Sequence, residues 1–228
     1  MHPDWLSNAY VLADREGGTA AFVDSGADVE PLVKAVEAWH ATPAAILRTH
    51  GHHDHVVHEH ELRTRFGVDV VAEPGDWKWG GLRVRGVATP GHSDDMVAFV
   101  VEAGGQARAL APIVFTGDTL FKDAVGGGDL EQVRSSVMDV FMALPDETRV
   151  LPGHTDETTI GRERESNPFV RVWRGTDPEG TERVTVAGRQ ATLVVWSPDY
   201  DGKGKAWVRF ADDGRDAIVG GSRVARGS

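Results

Sequence analysis

Four candidate metal ligands lie within six positions of this sequence. The stretch 49–55 reads THGHHDH and carries these four: His50, His52, Asp54 and His55. It directly follows the apolar run 44–47, which has the length and neighbours of a buried strand, and Gly51 permits a sharp exit from that strand. In layered α/β folds, ligands and chemistry collect at the carboxyl ends of strands. The stretch therefore predicts half of a metal site.

Three further fragments repeat this arrangement, in which a strand is followed by a small residue and then by a side chain able to bind metal. They read TPGH, TGD and PGH, and they end at His92, Asp118 and His154. With the first stretch they supply five imidazoles and two carboxylates. Seven donors exceed what one tetrahedral ion needs, but they fit two ions that share a carboxylate. Because the chain has no Cys, thiolate ligands are excluded, and the set suits zinc, iron or manganese.

Composition narrows the class of protein further. The 228 residues, of which 40% are hydrophobic, suffice for one sizeable core with a small appendage. The formal net charge of −11, with no dense cluster of Lys and Arg, argues against a nucleic-acid partner. The sequence shows neither a signal-peptide pattern nor an apolar run of membrane-spanning length. We therefore expect a soluble, cytoplasmic protein without a membrane partner.

The elements that must position these side chains alternate between strand and helix. An opening hairpin is predicted over 8–23, and the segment 73–81 is predicted to be a turn-rich connection. Further strands are predicted at 44–49, 68–71, 82–88, 96–101, 113–115 and 149–151, and helices at 29–39, 56–66 and 129–144. The pattern favours two β-rich layers with helices outside them.

The C-terminal part of the chain differs from the rest, because it has short β runs separated by Gly, Asp and Pro turns. We divide the chain into a catalytic domain, residues 1–169, and a β-rich extension, residues 170–228. The extension is predicted to form a small barrel or a pair of hairpins. It either walls the active site, forms a dimer contact through Trp196 and Trp207, or is an accessory unit buried against the core.

Taken in order, the fragments resemble the motifs of the metallo-β-lactamase superfamily. The matching letters are THGHHDH at 49–55, TPGH at 89–92, FTGDTLF at 115–121 and LPGH at 151–154. The resemblance covers roughly residues 8–169, and four ordered fragments are more specific than one histidine-rich stretch. It implies an α/β fold of four layers, the αβ/βα sandwich, with metals at the edge of the two sheets and a small C-terminal β extension added.

The resemblance also implies how the donors are divided between two divalent metal ions. The first ion is held by three imidazoles: His50, His52 and His92. The second is held by Asp54, His55 and His154, and Asp118 bridges the two. Asp54 and Asp118 are the implied catalytic carboxylates. Zinc is the first choice, with iron or manganese as alternatives. His53 is predicted to lie beside the site without binding metal.

Within the superfamily, the fragment at 115–121 resembles most the hydroxyacylglutathione hydrolase group, also called glyoxalase II. The stretch 158–169 is similar to the last part of that group's catalytic domain. That group, however, has a helical C-terminal domain that helps hold glutathione, whereas residues after 170 read as β structure here. The acyl group and the thiol carrier are therefore left open, and no substrate-binding residue is assigned.

These observations predict a metal-dependent hydrolase that cleaves a thioester or related ester of a small molecule with a metal-bound hydroxide. Three alternatives stay open. A mononuclear iron persulfide dioxygenase would use His50, His92 and Asp118, because two His and one carboxylate form the facial triad of non-haem iron oxygenases. A lactonase or other ester hydrolase would share the fold, and a non-catalytic binding module would show no turnover. A homodimer is compatible with the sequence.

Overall fold

Two β-sheets face each other across an apolar layer in the computed structural model, which describes residues 4–103 and 111–227. The first half of the chain forms one sheet and the helices outside it. Its elements are β1 (Tyr10–Ala13), β2 (Thr19–Val23), α1 (Glu30–Ala38), β3 (Thr42–Leu47), α2 (His53–Val56), α3 (Glu59–Phe66) and β4 (Asp69–Val71). The strands lie in the order β1-β2-β3-β4; β1 and β2 form the predicted antiparallel hairpin, and β3 and β4 run parallel to β2.

Helices α1 and α3 cover the outer face of this sheet. Val33 and Val36 of α1 and Leu62 of α3 are buried in one cluster with Phe22 of β2. Gly67 ends α3 in a left-handed conformation, with φ of 65°, as expected for a residue without a Cβ. This face is thus built from the helical spacing of apolar residues that the sequence shows.

The second half forms the opposite sheet and its own helices. Its elements are β5 (Gly75–Trp79), β6 (Leu82–Ala88), β7 (Val97–Ala103), β8 (Ile113–Gly117), β9 (Leu120–Phe121), β10 (Ala124–Val125), α4 (Leu130–Ser135), β11 (Arg149–Pro152), β12 (Thr158–Thr159), α5 (Ile160–Ser166) and α6 (Pro168–Trp173). Six strands lie in the order β12-β11-β8-β7-β6-β5. Helix layers therefore lie outside both sheets, and the α/β sandwich predicted from the sequence is confirmed.

Two local predictions in this half were wrong. The segment predicted as a turn-rich connection contains the strand β5, paired antiparallel with β6, in which Trp77 and Trp79 pack on the inter-sheet core and Lys78 is exposed. The single helix predicted over 129–144 is α-helical only in α4 and continues as a π-helical segment over Ser136–Phe141. The sequence pattern did not indicate β5, because Pro and Gly border its short alternation of buried and exposed residues. It did not indicate the π-helical segment, because α- and π-helical turns place apolar residues on the same face.

The C-terminal β runs form a five-stranded antiparallel sheet rather than a barrel or two separate hairpins. Its strands are β13 (Glu182–Val186), β14 (Arg189–Ser197), β15 (Lys205–Phe210), β16 (Asp216–Gly220) and β17 (Val224–Arg226), in the order β16-β15-β14-β13-β17. Val195, Trp207 and Ile218 of this sheet share one apolar cluster with Val170 and Trp173 of α6. The sheet is thus packed on the helical layer of the second half.

The extension's two tryptophans differ in exposure. Trp207 is buried, with its ring centroid 6.5 Å from that of Trp173, whereas Trp196 is 39% exposed. Only Trp196 of this pair is therefore accessible to a partner. The division of the chain into two domains stays a prediction. Within the described ranges, no helix has both the length and the apolar character required to cross a membrane.

Candidate metal centre

The four predicted fragments meet at one edge of the sandwich. The stretch 49–55 follows β3, and His92, Asp118 and His154 follow β6, β8 and β11. Strands β8 and β11 are parallel, and β6 has the same direction because both β6 and β8 are antiparallel to β7. Their carboxyl ends therefore lie at a common edge, where successive loops can bring side chains together.

Three imidazoles form the first group of donors. The Nε2 atoms of His50 and His92 each lie 3.0 Å from Nδ1 of His52. His50 is buried, whereas His52 and His92 are more open to solvent. These are the three residues expected at the first metal, and the nitrogen atoms that face one another define a pocket for one ion.

Asp54, His55 and His154 form the second group. Nε2 of His55 and Nε2 of His154 lie 3.7 and 3.5 Å from Oδ2 of Asp54. His55 and His154 are buried, while the Asp54 side chain is 30% exposed. Asp54 is thus the member of this group that solvent or a substrate can reach.

Asp118 lies between the two groups. Its Oδ1 is 3.4 Å from Nε2 of His55, and its Oδ2 is 3.2 Å from Nε2 of His154 and 3.6 Å from Nε2 of His92. The structure therefore brings all seven predicted donors together, with the carboxylate of Asp118 adjacent to both groups. Their action as metal ligands remains a prediction.

Two buried atoms in this centre test whether a cation fits. Within the described part of the chain, Nε2 of His55 and Oδ1 of Asp118 are buried and have no hydrogen-bond partner. Leaving such donors and acceptors unsatisfied costs about 1–3 kcal/mol each. A cation held by both atoms removes that cost, and imidazole with carboxylate is a donor pair that suits zinc, iron and manganese. The residues present therefore fit a metal centre.

The outward-facing ring nitrogens of three of these histidines are each held by a neighbouring group. Nδ1 of His92 lies 2.9 Å from the carbonyl of Gly127, and Nδ1 of His154 lies 3.0 Å from the carbonyl of Leu6. Nδ1 of His50 is 3.1 Å from the Thr49 hydroxyl. Carbonyl acceptors require a proton on Nδ1, which leaves Nε2 of His92 and His154 free to bind metal.

Asp24 is a supporting residue that sequence reasoning missed. Its buried carboxylate accepts hydrogen bonds from the backbone N–H and the hydroxyl of Thr49, both at 2.8 Å, and from Nδ1 of His55 at 2.9 Å. Asp24 thus fixes the start of the histidine-rich stretch and the ring of His55 at the same time. A signal was present, because Asp24 follows β2 directly, as the candidate ligands follow their own strands.

The electrostatic field differs between the two groups. Burial lowers the pKa of His55, but the hydrogen bond to Asp24 and the charges of Asp24, Asp118 and Asp54 outweigh it and raise that pKa to about 9. Burial lowers the pKa of His50 to about 3, assisted by the neighbouring histidines. For Asp118, burial acts to raise the pKa, but the hydrogen bond to His154 and the nearby imidazoles hold it far below its usual range. His55 is thus the imidazole whose proton a metal must displace.

Two glycines allow the close packing at this edge. A Cβ at Gly26 would overlap the carbonyl oxygen of Asp54, and one at Gly153 would overlap Oδ1 of Asp118. Neither neighbour can move without displacing a donor of the centre. Small residues at these points are therefore needed to bring the strands' loops together.

His53 lies outside both groups. Its side chain is exposed, and its ring is 5.2 Å from that of Trp5 in an edge-to-face contact. His58, three residues after the stretch, pairs with Glu61 at 3.3 Å. The structure thus separates the four donors of the stretch from the histidines that accompany them.

The chain is similar in sequence to several known proteins. No protein-family model matches the chain. An uncharacterized protein of Mycobacterium tuberculosis is 34% identical, over 72% of this chain and 92% of that protein. The probable metallo-hydrolase YqgX of Bacillus subtilis is 27% identical, over 72% of this chain and 92% of that protein. The hydroxyacylglutathione hydrolase GloC of Haemophilus influenzae is 27% identical, over 66% of this chain and 87% of that protein.

Solved structures share the architecture. The BLEG-1 B3 metallo-β-lactamase superposes with a TM-score of 0.64 at 27% identity, over 74% of this chain and 96% of that chain. The protein TTHA1623, in a di-iron-bound form, gives 0.58 at 29% identity, over 74% and 97%. ETHE1 from Myxococcus xanthus gives 0.59 at 25% identity, over 75% and 87%.

Proposed function

Because the chain belongs to the metallo-β-lactamase superfamily, we propose that it is a metal-dependent hydrolase that cleaves a thioester or a related ester. The proposal of hydrolysis is supported by its relatives, which include metallo-hydrolases. The thioester specificity rests on the likeness to the hydroxyacylglutathione hydrolase of Haemophilus influenzae. The substrate in this proposal is a small molecule used in the cytoplasm, with no nucleic-acid or membrane partner.

One observation carries the proposal: seven donor side chains converge at one edge of the sandwich, and two of their buried atoms, Nε2 of His55 and Oδ1 of Asp118, lack hydrogen-bond partners. A binding module would need only a closed set of ligands, whereas here Asp54 and His92 stay partly exposed, by 30% and 20% of their side chains. The centre is therefore accessible from outside, as a catalytic metal site must be. We assign the two ions as zinc.

Divalent cations held by these residues would act as Lewis acids: they would polarise a carbonyl group and lower the pKa of a bound water to near 7. The protein's own residues do the rest. Asp118 stays ionised and keeps both donor groups in register, because its oxygens lie within 3.6 Å of three imidazoles. Asp54 is the more exposed of the two carboxylates in the centre. It therefore accepts the proton released by the attacking water and returns it to the departing thiolate or alkoxide.

Iron chemistry is the second candidate. A mononuclear iron persulfide dioxygenase needs only His50, His92 and Asp118. The neighbour TTHA1623 holds two irons, which favours iron as an alternative metal and does not by itself favour oxygen chemistry. A single iron leaves four of the seven donors, His52, Asp54, His55 and His154, without a role, so we rank hydrolysis first. A lactonase or other ester hydrolase uses the same donors and differs only in its substrate.

Elemental analysis combined with a panel of thioester, ester and lactone substrates tests the proposal. We expect two equivalents of metal and turnover of a thioester. One equivalent of iron, with oxygen consumption on glutathione persulfide and no thioester hydrolysis, would overturn it. Replacing Asp118 by Ala should remove bound metal and activity together, while the matched change His53→Ala should leave both nearly intact. Full turnover by the Asp118 variant would exclude the two-metal scheme.

A further inference from the structure

The connection between β14 and β15, residues 198–204, reaches from the C-terminal sheet to the metal centre. The ring of Tyr200 lies parallel to that of His154, with 4.2 Å between centroids and 8° between planes. Phe121 meets both rings edge-to-face, at 5.7 Å from Tyr200 and 5.8 Å from His154. Such contacts combine burial with a favourable ring geometry. The extension thus contributes a side chain in direct contact with the second group of donors.

We propose that Tyr200 forms one wall of the substrate-binding site, where its ring packs against an apolar, uncharged part of the substrate's acyl group. This inference rests on the proposed hydrolase function and makes it more specific. It assigns a specificity-determining residue outside the superfamily motifs, in the C-terminal extension, for which walling the active site was one of three alternatives from the sequence. The C-terminal sheet then belongs to the active site.

The loop that carries Tyr200 is held in place from within. Asp199 pairs with Lys205 at 3.0 Å, and these side chains are only 4% and 12% exposed. The backbone N–H of Gly202 donates to the carbonyl of Asp199 at 3.0 Å, and Ser197 pairs with Lys205 at the end of the β14–β15 ladder. Tyr200 is therefore positioned before a substrate arrives, which reduces the ordering cost of binding.

The sheet also contacts the opposite side of the centre. Ile218 of β16 forms a β-bridge with Gly128, next to the Gly127 carbonyl that lies 2.9 Å from Nδ1 of His92. The extension thus adjoins His154 through Tyr200 and His92 through the segment around Gly127. Contact at both donor groups is what a wall of the binding site requires, and an appendage packed elsewhere on the core would lack it.

The charges of the loop indicate what Tyr200 meets. Both lysines in and beside the loop are paired with its own aspartates, Lys205 with Asp199 at 3.0 Å and Lys203 with Asp201 at 3.3 Å. The loop therefore presents a neutral aromatic ring instead of an unpaired cation that would bind a carboxylate or phosphate. Tyr200 itself is half-buried, so part of its surface is available to a ligand. An apolar acyl chain is the group that such a surface fits.

The test compares Tyr200→Ala and Tyr200→Phe, using two thioesters of one thiol that differ only in the acyl group, acetyl and hexanoyl. For the alanine variant, we expect KM for the hexanoyl thioester to rise about threefold to tenfold, the equivalent of one aromatic contact. KM for the acetyl thioester should change little. Phenylalanine keeps the ring, so it should restore the wild-type KM. Trp39→Ala, which removes an exposed aromatic ring at the end of α1, far in sequence from the loop, is the control.

Metal content distinguishes a Tyr200 that contacts the substrate from a Tyr200 that only holds His154 in place. If Tyr200→Ala lost metal, or lowered only the stability of the fold, while KM stayed at the wild-type value for both thioesters, Tyr200 would merely hold His154 and the inference would be wrong. Equal losses in the alanine and phenylalanine variants would also overturn it, because the hydroxyl and not the ring would then be responsible. Both variants are therefore assayed with a measured metal load.

Binding of an unreactive hexyl thioether of the same thiol distinguishes the two proposals. If wild-type protein hydrolyses no thioester or ester, the hydrolase proposal fails. Weaker thioether binding by Tyr200→Ala than by wild type would then still support the wall. If wild type hydrolyses thioesters and Tyr200→Ala matches its KM values and its thioether affinity, only the Tyr200 inference fails.

Discussion

Replacing Asp24 by Asn should weaken one metal ion selectively. The amide oxygen can still accept from the Thr49 N–H, and the amide nitrogen can donate to the Thr49 hydroxyl, but it cannot accept from Nδ1 of His55. Neutral His55 then carries its proton on Nε2, the atom that faces Asp118, instead of on Nδ1. The backbone tolerates the change, because Asp24 has φ of 53° and Asn enters the left-handed region readily.

The size of the effect follows from the contacts. One hydrogen bond to a charged group is lost at a buried site, which corresponds to about 1.5–3 kcal/mol. Loss of an outer partner of a metal-binding His lowers metal affinity about 10- to 100-fold, which converts to about 1.4–2.8 kcal/mol. The two figures agree. We expect the whole effect on the ion held by His55 and little on the ion held by His50, His52 and His92.

A competition titration of metal-free protein with a chromophoric chelator measures the two affinities separately. Glu163→Gln is the matched control, because Glu163 is also a fully buried carboxylate that accepts several hydrogen bonds, yet it lies among Thr158, Arg162 and Asn167. That variant should lower the free energy of unfolding without changing metal affinity. Wild-type affinity for both equivalents in Asp24→Asn would refute the role given to Asp24.

Three further predictions concern the same centre. Metal uptake should release the His55 proton, so metal affinity should rise with pH up to about 9, the pKa of His55 in the folded protein, and level off above it. Calorimetry in buffers of different ionisation enthalpy counts the protons released; an unchanged affinity between pH 7 and 9 would contradict this. Because the folded-state pKa is raised, the stability that the His55–Asp24 pair gives the metal-free protein is complete below 6.5 and is lost as pH rises through about 9. Gly153→Ala should abolish metal binding, because the added Cβ overlaps Oδ1 of Asp118. The control variant, Gly227→Ala, adds a Cβ in open space and should bind metal as wild type does. Elemental analysis after dialysis measures both, and full metal content in the Gly153 variant would show that this edge of the sandwich can relax.

The sequence indicated where these side chains would meet, because each stands at the end of a strand, and strand ends are marked by short apolar runs with a Gly nearby. For residues such as His92 and Asp118, both the donor type and the position at a strand end can therefore be read from a few neighbouring residues. Asp24 follows the same rule but has no neighbouring histidine, so only the three-dimensional contact with His55 reveals its role.

Long-range packing accounts for what the sequence did not predict. Tyr200 follows the last superfamily motif by more than forty residues, and nothing in its neighbourhood of the sequence indicates contact with His154. The extension's strands were predictable from alternation, but their assembly into one sheet against α6 depends on which apolar faces match. Strand β5 was missed because its alternation is only five residues long and is bordered by Pro and Gly.

The shared cluster between α6 and the C-terminal sheet matters during synthesis. Translation proceeds at about 5–20 residues per second, so the ribosome needs several seconds to make the strands that cover Val170 and Trp173. Until then, a nascent chain already carrying every predicted metal donor exposes that apolar surface. Chaperones that bind exposed apolar segments can bind this surface during that interval. The interval ends when the last strands leave the ribosome and pack on α6.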